Sequence, residues 1–155
     1  MNNRWRAKRK INGGYTFSQK QIWSADITMA KYILAVLKEY YKMKRHGYPG
    51  FDEADTPEKW EELVKRFIYT FDQIVNDFPD SPFYIAYDKY CKECPNDIGI
   101  ACRVSNDGCV EVDDRYTKLK EKYYTEEIKA KEKEYRKYIQ DGLQLYAKFF
   151  QSIWD

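Results

Sequence analysis

The chain has 155 residues, with 27 Lys and Arg against 25 Asp and Glu, a formal charge of +2, 17% aromatic residues and 34% charged ones. That length suits one domain whose core needs no staples, and a charge so close to balance does not by itself argue for nucleic acid. No run of about 18 apolar residues occurs, which leaves no candidate membrane-spanning helix.

Residues 1–16 read as a basic, flexible arm. Arg4, Arg6, Lys8, Arg9 and Lys10 place five positive charges in the first ten residues with no acid among them, and Gly13-Gly14 follows. A solvated tail is the plain reading. The functional one is a nucleic-acid-binding arm in which the cations meet phosphates and Trp5, between two arginines, stacks on a base. No apolar signal-peptide region follows the arm, so secretion is not expected, and the four cysteines are expected as reduced thiols or metal ligands rather than disulfides.

Residues 17–155 read as a single helical domain. Residues 18–45 have the pattern of one long amphipathic helix, capped by Ser18 with Phe17 as a hydrophobic staple. Trp23, Asp26, Ile27, Ala30, Ile33, Leu34, Leu37 and Tyr41 form its apolar stripe. His46-Gly47 and Pro49 stop it. Thr56-Pro57 starts a second helix over about 57–77, with Trp60, Leu63, Val64, Phe67, Ile68, Phe71, Ile74 and Val75 facing inward. The short connection predicts a helical hairpin.

Residues 78–115 form an insert with a different texture, punctuated by Pro79, Pro82 and Pro95 and holding all four cysteines. Phe83–Tyr87 suits a short strand or a helical turn, and 98–104 with 109–112 around Asn106-Asp107-Gly108 suits a small β-hairpin. From Asp114 to Asp155 the pattern is helical again. Lys, Glu and Tyr dominate 116–137, a solvated stretch with i,i+4 pairs Glu127–Lys131 and Glu132–Arg136. Ile139, Leu143, Tyr146, Phe150, Ile153 and Trp154 then return to core pattern. Gly142 inside that stripe costs about 1 kcal/mol of helix propensity, so it predicts a close helix–helix approach. The expected fold is mainly α: three long helices around one core with a small cysteine-containing β-hairpin insert.

Three groups of residues invite chemistry. Cys91, Cys94, Cys102 and Cys109 give a four-thiolate set for one structural zinc, although only Cys91-x2-Cys94 has the usual spacing; reduced thiols packed as small hydrophobes are the alternative. His46, the only histidine, suits a helix end better than a nucleophile pair. Asp26 on the main helix calls for a hydrogen-bond partner, such as the indole N–H of Trp60 or Trp154. With Trp23, Tyr48, Trp60 and Arg66 it could instead wall a ligand or partner site. Aromatic faces with a guanidinium suit a nucleotide, and the same composition suits a protein interface. No phosphate-binding Gly-rich loop, Gly-x-Ser-x-Gly or His-Glu-x-x-His occurs, so no enzyme class is expected.

The order Trp23-Ser24-Ala25-Asp26, His46-Gly47-Tyr48-Pro49, Trp60-Glu61-Glu62-Leu63 and Gly142-Leu143-Gln144-Leu145-Tyr146-Ala147-Lys148-Phe149-Phe150 to Trp154-Asp155 resembles a group of small proteins encoded by bacteriophages and prophages of Gram-positive bacteria. The likeness covers about 15–77 and 138–155, and it carries no activity and no site residues. It implies a viral protein acting in the host bacterial cytoplasm. The expected function is therefore a non-catalytic accessory protein that binds and inhibits a host protein, with an anti-defence role in view. Sequestration of a nucleotide signal and nucleic-acid binding through the arm are the rivals. No membrane partner is expected, and a homo-oligomer is left open.

Overall fold

A computed structural model of the chain describes residues 8–9, 15–16, 18–43, 47–93, 102–104, 110–112 and 122–153. The protein is mainly helical. Its elements in order are β1 (Lys8–Arg9), β2 (Tyr15–Thr16), α1 (Gln19–Trp23), α2 (Ala25–Lys42), a 3-10 turn at Asp52–Ala54, α3 (Pro57–Val75), α4 (Pro82–Glu93), β3 (Cys102–Val104), β4 (Val110–Val112), α5 (Glu126–Lys148) and a 3-10 turn at Gln151–Ile153. Antiparallel pairing joins β1 to β2, and β3 to β4 with Cys102 opposite Val112 and Val104 opposite Val110. No helix among the described residues is long and apolar enough to cross a membrane. Two compact units emerge, Met1–Asp77 with Gly142–Asp155, and Phe78–Asp141.

The first helix is not continuous. Ser18 caps α1 in a capping box: its hydroxyl accepts from the Gln21 N–H at 3.3 Å, and the Gln21 side chain accepts from the Ser18 N–H at 2.8 Å. The helix then breaks at Ser24 (φ −115°, ψ 50°) and restarts as α2. Thr28 Oγ1 donates to the Gln21 carbonyl at 3.2 Å, giving that carbonyl a side-chain donor at the break. The inward face also differs in part from the expected one. Ala30, Leu34 and Leu37 are buried as expected, but Tyr40 rather than Tyr41 completes the stripe, and Trp23, at 83% exposure, and Asp26 both lie at the surface. The expected helix end at His46 and the staple at Phe17 lie outside the described residues.

α3 begins as its signals predict, with Pro57 in the first turn and Thr56 Oγ1 accepting from the Lys59 N–H at 3.3 Å. It ends at Val75, two residues early, and Asp77 and Phe78 then take left-handed φ values of 61° and 56°. Trp60, Val64, Phe67 and Phe71 join Ala30, Leu34, Leu37, Tyr40, Ala54, Phe149 and Ile153 in the core of the first unit, with Leu63, Ile68, Ile74, Val75, Leu143 and Tyr146 packed against them. Aromatic edges lock this core: Tyr146 meets Phe71 at 4.8 Å and Phe67 at 5.6 Å between ring centroids, both near perpendicular. Gly142 sits where a Cβ would lie 2.1 Å from Thr70 Oγ1 and 3.2 Å from Thr70 Cβ, so the close approach of α5 to α3 is real.

The second unit has its own small core of Ala86, Tyr90 and Tyr123, with Cys91 and Ile128 against it. Phe83–Tyr87, read as a strand or a single turn, opens the 12-residue helix α4. Helix α5 starts at Glu126, with Thr125 Oγ1 accepting from the Ile128 N–H at 3.4 Å, and the expected helical stretch over 114–121 lies outside the described residues. Glu132 departs most from expectation. It pairs with Arg136 at 2.7 Å, but it is buried rather than solvated, and it also accepts from Ser81 Oγ at 2.7 Å and from the Phe83 N–H at 3.2 Å. A carboxylate from α5 thus satisfies orphan donors at the start of α4.

Candidate interaction site

The residues between α2 and α3 form a displayed aromatic loop. Its sequence, Gly47-Tyr48-Pro49-Gly50-Phe51-Asp52-Glu53-Ala54, cannot continue a helix through Pro49 and Gly50. The backbone closes on itself instead: the Gly50 N–H donates to the Ala54 carbonyl and the Ala54 N–H to the Phe51 carbonyl, both at 3.0 Å. The turn requires positive φ at Gly50 (77°) and at Asp52 (51°). Glycine takes that conformation freely, and aspartate tolerates it better than most residues. Ala54 is fully buried and anchors the loop, which leaves Tyr48 and Phe51 exposed at 42% and 47%.

What holds the loop comes from the far end of the chain. Phe51 stacks on Phe149 with centroids 5.6 Å apart and planes 23° from parallel, and Phe149 itself is fully buried. Beneath it, Trp60 meets Phe149 at 5.8 Å and Tyr40 at 6.5 Å. Lys148, at the end of α5, bridges to Glu53 at 2.6 Å and to Asp52 at 3.0 Å. Its ammonium holds the Glu53 carboxyl below the ordinary carboxylate range through their hydrogen bond, and Glu53 followed by Asp52 raises Lys148 above the ordinary lysine range. Aromatic rings therefore descend from the surface to the core under a loop whose two acids share one cation.

The expected site residues divide. Tyr48 and Trp60 belong to this assembly, one at its surface and one at its base. Trp60 is only 5% exposed, and its indole N–H donates to Tyr40 Oη at 3.0 Å, so it does not line an open cleft and does not serve Asp26. Trp23 and Asp26 lie on the surface of α1 and α2, and Arg66 is half-buried in α3. Of the arm, Lys8 and Arg9 form β1, while Arg4, Trp5, Arg6 and Lys10 lie outside the described residues. Cys102 is in β3, Cys94 and Cys109 lie outside the described residues, and Cys91 is a free, half-buried thiol whose hydrogen bond with the Tyr87 hydroxyl raises the Tyr87 pKa. Among the described residues no group of three His, Cys, Asp or Glu side chains could hold a metal ion.

Phe51, Lys148 and Phe149 escaped the sequence reading. An aromatic residue between Gly50 and two acids was a usable sign for Phe51. No local signal ties residue 148 to residues 52 and 53. No protein-family model, curated protein or solved structure matches this chain.

Proposed function

We propose that the protein is a non-catalytic accessory protein, phage-encoded and acting in the bacterial cytoplasm, that binds and inhibits a host protein by docking its 47–54 loop. The observation that carries this reading is the presentation of Tyr48 and Phe51 at 42% and 47% exposure on a loop pinned by Lys148. Aromatic side chains supply large contact area at binding hot spots. A loop already fixed avoids the ordering cost of about 0.5–1.5 kcal/mol for each side chain immobilised on binding. The reading keeps the finer architecture expected from the sequence, three long helices around one core with a cysteine-bearing hairpin inserted.

The test is affinity capture from the lysate of a Gram-positive host, followed by titration of the captured protein with purified chains. Y48A/F51A should lose at least about tenfold in affinity, the 1.4 kcal/mol expected of hot-spot truncation. Equal binding by wild type and the double variant would overturn the assignment to this loop. No specific host protein captured by wild type would overturn the function.

A further inference from the structure

The 47–54 loop joins exposed aromatic rings to uncompensated negative charge. Tyr48 Cε2 stands 4.0 Å from where a Cβ on Gly50 would lie, so the tyrosine ring packs over the glycine turn. Phe51 gives one face to Phe149 and is still 47% exposed. Asp52 follows it directly, and because Lys148 takes Oδ2, Asp52 Oδ1 has no partner among the described residues. Lys148 also takes Glu53 Oε2, so one ammonium serves two carboxylates. Asp55 pairs with Lys59 and Glu61 with Lys65, whereas Glu58 and Glu62, exposed and one turn apart at the start of α3, have no ion pair among the described residues. From Asp52 to Glu62 six acids thus meet three cations, Lys59, Lys65 and Lys148, and three negative charges are left over. Lys44 and Arg45, which precede the loop in the chain, lie outside the described residues.

An aromatic face next to a carboxylate suits a guanidinium group. The ring attracts the cation through its quadrupole, and the carboxylate accepts from the planar N–H fork. A lysine ammonium answers the charge, but it is a compact, strongly hydrated point charge that does not stack flat on a ring. The leftover acids favour a cationic surface during encounter and oppose an acidic one. The exposed rings therefore provide the contact, and the acids set the sign of what meets them. We infer that the protein docking on the 47–54 loop presents arginine side chains, received by Tyr48, Phe51 and Asp52. This rests on the reading of the loop as a protein-docking surface and adds the chemistry of the partner.

The probe is a hexa-arginine peptide, titrated into the isotopically labelled full chain and followed by NMR, with hexalysine as the comparison. Amide shifts should centre on residues 47–62, and hexa-arginine should bind about two- to fivefold tighter than hexalysine, the equivalent of one exposed cation–π contact. Y48A/F51A should bring the two peptides to equal affinity, whereas E58Q/E62Q should weaken both and keep the preference. Asp52→Asn leaves both rings in place, and asparagine tolerates the positive φ there, so it gives a second, folded variant in which the preference should shrink. Equal binding of the two peptides by wild type, shifts centred elsewhere, or a preference that survives both Y48A/F51A and Asp52→Asn overturns the inference. Host-protein capture that depends on Tyr48 and Phe51, with no arginine preference, would remove this inference and leave the docking reading standing. An arginine preference with no host protein captured would remove the docking reading, and with it the protein partner inferred here.

Discussion

Replacing Gly142 by alanine sets two local effects against each other. In an exposed helix the change should stabilise by about 1 kcal/mol, because glycine loses more backbone freedom on folding. Here the new Cβ would stand 2.1 Å from Thr70 Oγ1 and 3.2 Å from both Thr70 Cβ and Cγ2. Rotating the threonine does not clear the site, because its Cβ stays where it is. With Oγ1 rotated away the 3.2 Å contact still requires a few tenths of an ångström, and with Oγ1 left in place helices α3 and α5 must part by on the order of 1 Å. A gap of that size forfeits a quarter to a half of the dispersion well at neighbouring contacts, which here include the Phe71–Tyr146 and Phe67–Tyr146 edges on the same two helices. Overpacking of this kind costs about 1–3 kcal/mol. After subtraction of the propensity gain, G142A should be less stable by up to about 2 kcal/mol, a fall in Tm of up to roughly 8 °C at about 2–4 °C per kcal/mol for this chain length. Thermal unfolding followed by circular dichroism measures it, with T70A/G142A as the control. Removing Oγ1 and Cγ2 should recover at least about half of the loss as a coupling between the two sites. A G142A protein more stable than wild type would show that the helices do not approach as described, and the reasoning would fail.

Other outcomes follow from single contacts. Thr70→Val should be neutral or slightly stabilising, because Thr70 Oγ1 is buried with no hydrogen-bond partner among the described residues and removing an unsatisfied hydroxyl recovers its desolvation cost. Glu132→Ala should destabilise by about 2–3 kcal/mol in a denaturant titration, because it strands Ser81 Oγ, the Phe83 N–H and Arg136 together, and Glu132→Gln should lose less. The Glu53 carboxyl, followed by NMR, should titrate below its ordinary 4.5. Its lowered pKa means that the Lys148 contact stabilises the fold above the unfolded value and releases the loop as pH falls through the folded one. Lys148→Ala should raise the Glu53 midpoint toward the ordinary value, and an unchanged midpoint would contradict the pinning of the loop.

Much of the fold is written locally. Ser18, Thr56 and Pro57 announce helix starts because a cap needs only the residues within one turn of it, and the buried face of α3 shows in its spacing because every position shares one cylinder. Gly142 was legible for the same reason, as a residue whose presence makes no sense in an isolated helix. The rest depends on contacts that no local pattern encodes. The break at Ser24 separates Trp23 from α2, and Thr28 reaches back across it to the Gln21 carbonyl. Glu132 reads as one more solvated acid until α4 brings Ser81 and Phe83 against it across 51 residues of chain. Lys148 and Phe149 join the 47–54 loop only because α5 ends beside it. Periodicity and capping are properties of a segment and are fixed by its own residues. Which exposed face meets which, and which charge becomes buried, is fixed only when segments far apart in the chain compete for the same space.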